Sequence, residues 1–148
     1  MAQKLVTLFA EQSLPLAEDI MRYRHIRHLP VIEEDGTLVG LISHRDILKA
    51  NVSSLVGVTA QQRQARYDVV KVREIMTTNV WTVTPDTLAE KAAQLLLEHS
   101  FGCLPVVENG KLIGLVTERD FLKLAIAFLE KQHDLPLPAR AQTESDTD

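Results

Sequence analysis

The sequence has few of the features that mark several common classes of protein. Its single cysteine, Cys103, excludes an internal disulfide framework and any zinc site built from several cysteines. No uninterrupted apolar run approaches the roughly 18 residues of a membrane-spanning helix. The first residues lack the basic start and apolar core of a secretory signal peptide. We therefore expect a cytoplasmic protein with no membrane partner.

Charge and aromatic content argue against nucleic acid as a partner. The 16 basic and 20 acidic residues give a net charge of −4, so the chain has no overall electrostatic attraction for a polyanion. Aromatic residues make up 5% of the chain, which is too few for a base-stacking surface. By contrast, 45% hydrophobic residues in a chain of 148 support a packed core, in one ordinary domain or two very small ones.

The chain repeats itself after about 75 positions. Residues 28–32 (HLPVI) return as residues 103–107 (CLPVV), and residues 41–49 (LISHRDILK) return as residues 115–123 (LVTERDFLK). Order, spacing and residue class agree across the two copies. We therefore infer an internal repeat, which determines the architecture more than any single motif.

Each copy has the pattern strand, helix, strand, strand, helix. In the first copy, β-prone residues 6–8 precede apolar residues at helical spacing over 13–24. Strands at 29–32 and 38–42 then flank Asp35-Gly36, a strong hairpin signal. The matching segments of the second copy are 81–83, 88–99 and the turn Asn109-Gly110.

We predict an α+β fold in which two β-α-β-β-α repeats pack together about a pseudo-two-fold axis. The repeats would occupy residues 1–50 and 72–130, and each is near the lower size limit for a self-sufficient core. Residues 61–66 are polar helix formers, so the linker 51–71 is expected to be helical. The tail 131–148 combines prolines and acidic residues with little to bury, and we expect it to be disordered.

An ordered set of three motifs occurs twice. The motifs are a Leu-Pro-Val turn into a strand, a hairpin glycine and Gly-x-x-[Ser/Thr]-x-x-Asp, at 29–31, 36 and 40–46 and again at 104–106, 110 and 114–120. This set resembles the tandem cystathionine-β-synthase-type domains of the Bateman module, over about residues 5–50 and 72–129. Residues 72–77 (VREIMT) also match the short helix that usually opens such a module. The first copy has no counterpart of this segment, and Ala10 stands where the second copy has Pro85.

The resemblance implies a regulatory module that binds an adenosine-containing small molecule. AMP, ADP or ATP is the expected ligand, with S-adenosylmethionine or NAD as alternatives, and no cofactor is required. We expect no catalytic residue, because the sequence has no Gly-x-Gly-x-x-Gly, P-loop or Gly-x-Ser-x-Gly motif. We also expect no metal site, because His25 and His28 have no third ligand nearby in sequence.

The resembled modules commonly form dimers through their helices. The apolar faces of residues 14–21, 88–97 and 121–128 are the candidates here for a homodimer surface. The protein that the module would regulate is not identified by the sequence. The alternative function is a dimerisation or protein-interaction module whose clefts are vestigial and bind no small molecule.

The Ser/Thr-x-x-Asp part of the motif suits both ligand binding and helix capping. Asp46 and Asp120 could each accept two charge-assisted hydrogen bonds from a ribose diol. Ser43 and Thr117 have hydroxyls that can reach the ribose or a phosphate at a helix N-terminus. The same spacing forms a capping box, in which these groups satisfy the helix's own N–H groups. Both roles can hold, in the empty and the occupied state.

The two clefts are expected to differ in charge. Residues 22–28 (RYRHIRH) approach the first Pro-Val strand and are strongly basic, whereas the equivalent residues 97–103 (LEHSFGC) are nearly neutral. We therefore expect phosphate to be held chiefly by Arg27, His28 or Arg45, of which Arg45 has the counterpart Arg119. The alternative is that these arginines form an ordinary solvated face.

In the resembled family the base binds between the first strand of a repeat and the approach to the Pro-Val strand, partly through backbone atoms. Cys103 aligns with His28, which suggests a variable residue in the wall of the cleft. The complete set of candidate ligand-binding residues is Thr7, Leu8, Arg27, His28, Pro30, Ser43, Arg45, Asp46, Thr82, Val83, Thr84, Cys103, Pro105, Thr117, Arg119 and Asp120.

Overall fold

A computed structural model describes residues 5–52, 57–100 and 102–138. Helices and strands alternate along it in the order β1 (Leu8–Phe9), α1 (Leu14–Arg24), β2 (His28–Ile32), β3 (Leu38–Ser43), α2 (His44–Val52), α3 (Ala60–Asp68), α4 (Val72–Ile75), α5 (Ala89–Glu98), β4 (Cys103–Glu108), β5 (Lys111–Thr117) and α6 (Glu118–Gln132). The predicted α+β class is confirmed. The chain divides into two compact units, residues 1–118 and residues 119–148. Helix α6 therefore lies almost wholly in the second unit.

The first repeat contains a three-stranded sheet in the order β1-β2-β3. β1 runs parallel to β2, and β2 and β3 form an antiparallel hairpin in which Leu29 lies opposite Ile42. Gly36 in the turn has a φ of +92°, a conformation that favours a residue without a Cβ. The carboxylate of Asp35 accepts a hydrogen bond of 2.9 Å from the N–H of Thr37. The hairpin predicted from Asp35-Gly36 is confirmed.

The second repeat contains the matching hairpin, β4-β5, with Asn109 and Gly110 at φ values of 54° and 79° in the turn. The strand predicted over residues 81–83 is wrong in extent. Only Val83 joins the sheet, as one parallel bridge to Val106. Val83 is buried whereas the residues before and after it are exposed, so a single side chain of this segment gains from packing on the sheet. In the first repeat the predicted strand over residues 6–8 likewise begins only at Leu8.

The two hairpins meet at their turns. The N–H of Leu38 donates to the carbonyl of Gly110 at 3.2 Å, and the N–H of Leu112 donates to the carbonyl of Gly36 at 3.0 Å. Equivalent positions of the repeats thus exchange donor and acceptor roles. This reciprocal pairing is what a pseudo-two-fold relation between the hairpins requires.

The core of the first repeat lies between its sheet and α1. Leu14, Ala17 and Met21 are buried on one face of α1, as their helical spacing predicts. They form one cluster with the buried side chains of both hairpin strands and of Val72. Because this cluster covers the face of residues 14–21, that face is removed as a candidate homodimer surface.

Residues 70–77 pack on the first repeat, although the sequence motif places residues 72–77 at the opening of the second. Val72 is fully buried in the first repeat's core, and its N–H donates to the carbonyl of Gln12 at 2.8 Å. Thr77 pairs with Leu41 on the outer edge of β3 through two backbone hydrogen bonds of 2.9 and 2.8 Å. The segment therefore closes the sheet of one repeat while it leads into the other.

The region predicted as a helical linker contains α3, whereas its residues 53–56 lie outside the described part of the chain. Thr59 and Gln62 form a capping box at the start of α3, each side chain accepting the other residue's N–H. At the other end of the chain, α6 continues to Gln132, two residues into the predicted tail. Residues 139–148 of that tail lie outside the described residues. Within the described ranges, no helix is long and apolar enough to cross a membrane.

Candidate functional site

The first candidate site is built where β3 ends and α2 begins. The hydroxyl of Ser43 accepts the N–H of Asp46 at 3.1 Å, and the Oδ2 atom of Asp46 accepts the N–H of Ser43 at 2.8 Å. These reciprocal bonds are the capping box that the Ser-x-x-Asp spacing predicts. Of the two carboxylate oxygens of Asp46, Oδ1 accepts no hydrogen bond from the described residues, and Asp46 is only half-buried. The capping box therefore leaves one carboxylate oxygen for a further donor.

The backbone brings basic residues to the same end of α2. The N–H of His44 donates to the carbonyl of Arg27 at 2.8 Å, which fixes residue 27 beside the first turn of the helix. Arg27, His44 and Arg45 are exposed, and His28 is half-buried. His44 is missing from the residues chosen by sequence, although its position directly after the capping Ser43 is a usable signal.

The candidate residues just before α1 (residues 7 and 8) and before α5 (residues 82–84) include both buried and accessible side chains. Leu8 and Val83 are 1% and 6% exposed and belong to the packed interior. Thr7 is half-buried, whereas Thr82 and Thr84 are exposed. Among the candidate ligand-binding residues of these two segments, the threonines are thus the ones whose side chains solvent reaches.

Three candidate residues on the Pro-Val strands are buried. Pro30, Cys103 and Pro105 are each less than 2% exposed, so their side chains pack inside the protein instead of facing a cleft. Burial also raises the pKa of the Cys103 thiol to about 12. At neutral pH this cysteine is a protonated packing group and not a nucleophile.

We call the residues just before each Leu-Pro-Val turn, together with the first residue of the helix after the hairpin, the mouth of a candidate cleft. These are residues 27, 28 and 44 in the first repeat and residues 102, 103 and 118 in the second, and the two repeats touch there. A Cβ added to Gly102 would lie 3.0 Å from Cε1 and 3.1 Å from Nε2 of His28. Gly102 also has a φ of +76°, which L side chains rarely adopt. Its carbonyl accepts the N–H of Glu118 at 3.4 Å, which is the bond that Arg27 and His44 make in the first repeat. The repeats therefore share this backbone arrangement and differ in the side chains they place on it.

The candidate residues at the start of α6 belong to two units. Thr117 ends β5 opposite Cys103, in the first unit, and is half-buried. Arg119 and Asp120 lie in the second unit, where Arg119 is exposed and Asp120 half-buried. Their part in a ligand site stays a prediction.

Two other features bear on the chemistry. Trp81 stacks on His99 with ring centroids 4.5 Å apart and an angle of 17° between the ring planes. Trp81 is nevertheless 46% exposed, next to the candidate Thr82. In the described part of the chain, no group of three or more His, Cys, Asp or Glu side chains is placed to hold a metal ion.

Solved structures with this fold include proteins bound to adenosyl compounds. CBSX2, a CBS-pair protein from Arabidopsis thaliana, was solved in complex with AMP; the alignment covers 86% of this chain and 91% of that chain, with a TM-score of 0.72 and 32% identity. The CBS domain pair of protein MJ0100 was solved in complex with 5′-methylthioadenosine and S-adenosyl-L-methionine. It aligns over 87% of this chain and 94% of that chain, with a TM-score of 0.71 and 27% identity.

Curated relatives include both small and large proteins. A CBS domain-containing protein of Dictyostelium discoideum is 34% identical over 131 residues, which cover 88% of this chain and 90% of that protein. Homoserine O-acetyltransferase of Methanococcoides burtonii is 33% identical over 125 residues, but the match spans only 23% of the enzyme's length. The similarity to that enzyme is therefore confined to a minor part of it.

The family model described as CBS domain matches residues 1–53 and 72–127. These segments contain both copies of the Leu-Pro-Val turn, the hairpin glycine and the Gly-x-x-[Ser/Thr]-x-x-Asp motif. In the structure, the same segments form the two hairpins that pair at their turns. This chain therefore belongs to the CBS domain family, with two CBS segments in tandem.

Proposed function

We propose that this chain is a regulatory module that binds an adenine nucleotide or another adenosyl compound in clefts between its two CBS segments. The observation that carries the proposal is the capping box of α2, where Ser43 and Asp46 present a hydroxyl and a half-buried carboxylate side by side. AMP, 5′-methylthioadenosine and S-adenosyl-L-methionine, the compounds bound to related CBS pairs, share the adenosine group. AMP, ADP and ATP come first as ligands, and S-adenosylmethionine and NAD follow.

In the first cleft, each group has a chemical task. Asp46 accepts a hydrogen bond from a ribose hydroxyl through its free Oδ1, and a charge-assisted bond of this kind is stronger than a neutral one. The hydroxyl of Ser43 can donate to the ligand while it accepts the N–H of Asp46. Arg27 and Arg45 supply positive charge for phosphate at the same helix end, with His28 beside them. The base lies against the segment that contains Thr7.

The second cleft is proposed from the repeat. It would use the accessible Thr82 and Thr84 for the base and Thr117 for the ribose. Arg119 and Asp120, which lie in the second unit, are proposed from the sequence repeat alone. The N–H of Thr84 donates to Oγ1 of Thr87 at 3.0 Å, the carbonyl of Thr84 accepts the N–H of Thr87 at 3.0 Å, and the two hydroxyls lie 3.3 Å apart. Thr84 would therefore meet the base with an exposed side chain that Thr87 holds in place. Buried Cys103 and Pro105 would support the cleft from within.

Regulation would follow from differential affinity. A ligand that binds one arrangement of the CBS segments more tightly shifts the population toward it and so changes the surface that a regulated protein meets. The module would have no catalytic activity of its own and would act in the cytoplasm.

A homodimer is the proposed assembly. Leu88, the residue that caps the start of α5, and Leu97, in its last turn, are 73% and 88% exposed. In the second unit, Leu122 and Phe128 on α6 are 64% and 61% exposed. Apolar side chains this accessible on helices are typical of surfaces that another chain covers. They also favour the second candidate function, an interaction module with vestigial clefts.

Calorimetric titration with AMP, ADP, ATP, S-adenosylmethionine and NADH tests the proposed function. Asp46→Asn is the informative variant, because its amide oxygen can still accept the N–H of Ser43 while the charge is lost. We expect saturable binding of at least one compound and a loss of about tenfold or more in affinity in Asp46→Asn. The control is Thr59→Ala, which breaks the similar capping box of α3 and should leave the affinity unchanged. If no compound binds, the interaction module takes first place. If a compound binds and Asp46→Asn binds it as wild type does, the capping box of α2 is not part of the site.

A further inference from the structure

The mouths of the two clefts differ in charge at positions that the backbone makes equivalent. In each repeat, the first N–H of the helix after the hairpin donates to the carbonyl of the residue two before the Leu-Pro-Val turn, at 2.8 Å in the first repeat and 3.4 Å in the second. The side chains around this bond are not equivalent. The corresponding pairs, first repeat before second, are Arg27 and Gly102, His28 and Cys103, and His44 and Glu118.

The backbone itself maintains part of this difference. Gly102 has a φ of +76°, and any Cβ there would press on the imidazole ring of His28. An arginine in place of Gly102 would therefore be strained and would displace His28. The second mouth cannot readily acquire the guanidinium that Arg27 gives to the first.

The other charged residues in the first turns of α2 and α6 do not cancel this difference in charge between the two mouths. Arg45 and Asp46 of the first repeat recur as Arg119 and Asp120 of the second, so these positions give each repeat the same net charge. The first mouth keeps the exposed cation Arg27 and two imidazoles, whereas the second has the exposed carboxylate of Glu118 and no cation at the equivalent positions. Both helices present an N-terminus, so the macrodipole does not distinguish the two mouths.

We propose that the first cleft takes the polyphosphate nucleotides ADP and ATP, and that the second takes an adenosyl compound without phosphate. This inference rests on the proposed function and names the ligand class of each cleft. Phosphate oxygens gain charge-assisted hydrogen bonds from Arg27 in the first cleft. In the second they would meet the carboxylate of Glu118, and like charges repel each other.

The test compares adenosine, AMP, ADP and ATP on the full chain by calorimetry. Arg27→Gln removes the cation of the first mouth and is expected to keep the fold, because the structure uses the carbonyl of Arg27, which the variant retains. We expect it to lower ATP affinity about tenfold and to leave adenosine affinity unchanged. Glu118→Gln should allow a second equivalent of ATP to bind. Arg66→Gln, which removes an exposed cation from α3, is the matched control and should change neither affinity.

Two further readouts do not depend on the fold of a variant. Raising the salt concentration should weaken ATP binding to the wild type and leave adenosine binding nearly unchanged, because salt screens exposed charges. Trp81, the only tryptophan, adjoins the second cleft, so its fluorescence should respond to adenosine more than to ATP.

The outcomes separate this inference from the function it rests on. If no adenosyl compound binds, the proposed function fails and this inference fails with it. If the compounds bind but phosphate adds no affinity, or if Arg27→Gln weakens adenosine and ATP equally, the assignment of ligand classes is wrong and the proposed function stands.

Discussion

Replacing Gly40 by alanine should disturb the contact between β3 and residues 70–77. The added Cβ would lie 2.6 Å from Sδ and 3.0 Å from Cγ of Met76, and 3.0 Å from the carbonyl oxygen of Thr77. Because the last of these atoms is backbone, a rotation of the methionine side chain cannot relieve every contact. The backbone hydrogen bonds between Thr77 and Leu41 must then lengthen. We expect the free energy of unfolding to fall by about 1–3 kcal/mol, the usual cost of overpacking.

Urea denaturation followed by circular dichroism measures this loss, and the melting temperature should fall by about 2–12 °C for a chain of this size. The matched control is a double-mutant cycle with Met76→Ala, which removes the closest atoms. Gly40→Ala should cost less in that background, although the contact with the Thr77 carbonyl remains. A Gly40→Ala protein within about 0.5 kcal/mol of wild type would refute the packing of residues 70–77 on the first repeat.

Three further measurements check other parts of the structure. Because burial raises the pKa of Cys103 to about 12, its thiol is protonated at neutral pH. It should therefore react with a disulfide reagent only after denaturation. Rapid reaction of the native protein would contradict the burial of Cys103. Burial and then the hydrogen bond to Glu18 raise the pKa of Tyr67, so one of the two tyrosines should resist ionisation in an alkaline absorbance titration. Tyr67→Phe should remove that resistant phase, and its survival would mean that Tyr67 is not the tyrosine concerned. Thr59→Ala should lower the unfolding free energy by about 1 kcal/mol through loss of a cap, which thermal denaturation would detect, and an unchanged stability would show that the cap contributes nothing.

The parts of the fold that the sequence predicts are those set by neighbouring residues. Asp35-Gly36 and Asn109-Gly110 specify their turns through local backbone preferences, and both hairpins form where these residues predict them. The spacing of Ser43 and Asp46 is also a local signal, and the capping box is present. Because the hairpin and Ser/Thr-x-x-Asp signals each occur twice in the same order, the repeat is evident from sequence alone.

The parts that the sequence does not predict depend on contacts between distant residues. Whether residues 81–83 form a strand depends on what packs on each side chain, and only Val83 is buried there. The packing of Val72 in the first repeat depends on how the chain returns after α3. A motif shows where a repeat begins in sequence but not which sheet the segment covers.

In the candidate site, too, local sequence predicts some features, whereas others depend on contacts between distant residues. Ser43, Arg45 and Asp46 are identifiable from sequence because they stand in a motif and in the first turn of a helix. The burial of Cys103 could not be read from its alignment with His28, because the two sites differ in what surrounds them. The contact between Gly102 and His28 is not predictable for the same reason, since it joins two repeats across 74 positions of sequence.

In the proposed function, the capped first turn of α2 is also where an adenosyl ligand binds. Amide proton–nitrogen correlation spectra of the full chain, recorded during a titration with ATP, test it most directly. If ATP binds there, the amide signals of Ser43 and Asp46 shift and saturate, whereas those of Thr59 and Gln62 in the similar capping box of α3 stay unmoved. Unmoved signals of Ser43 and Asp46, or equal shifts in the two boxes, would contradict it.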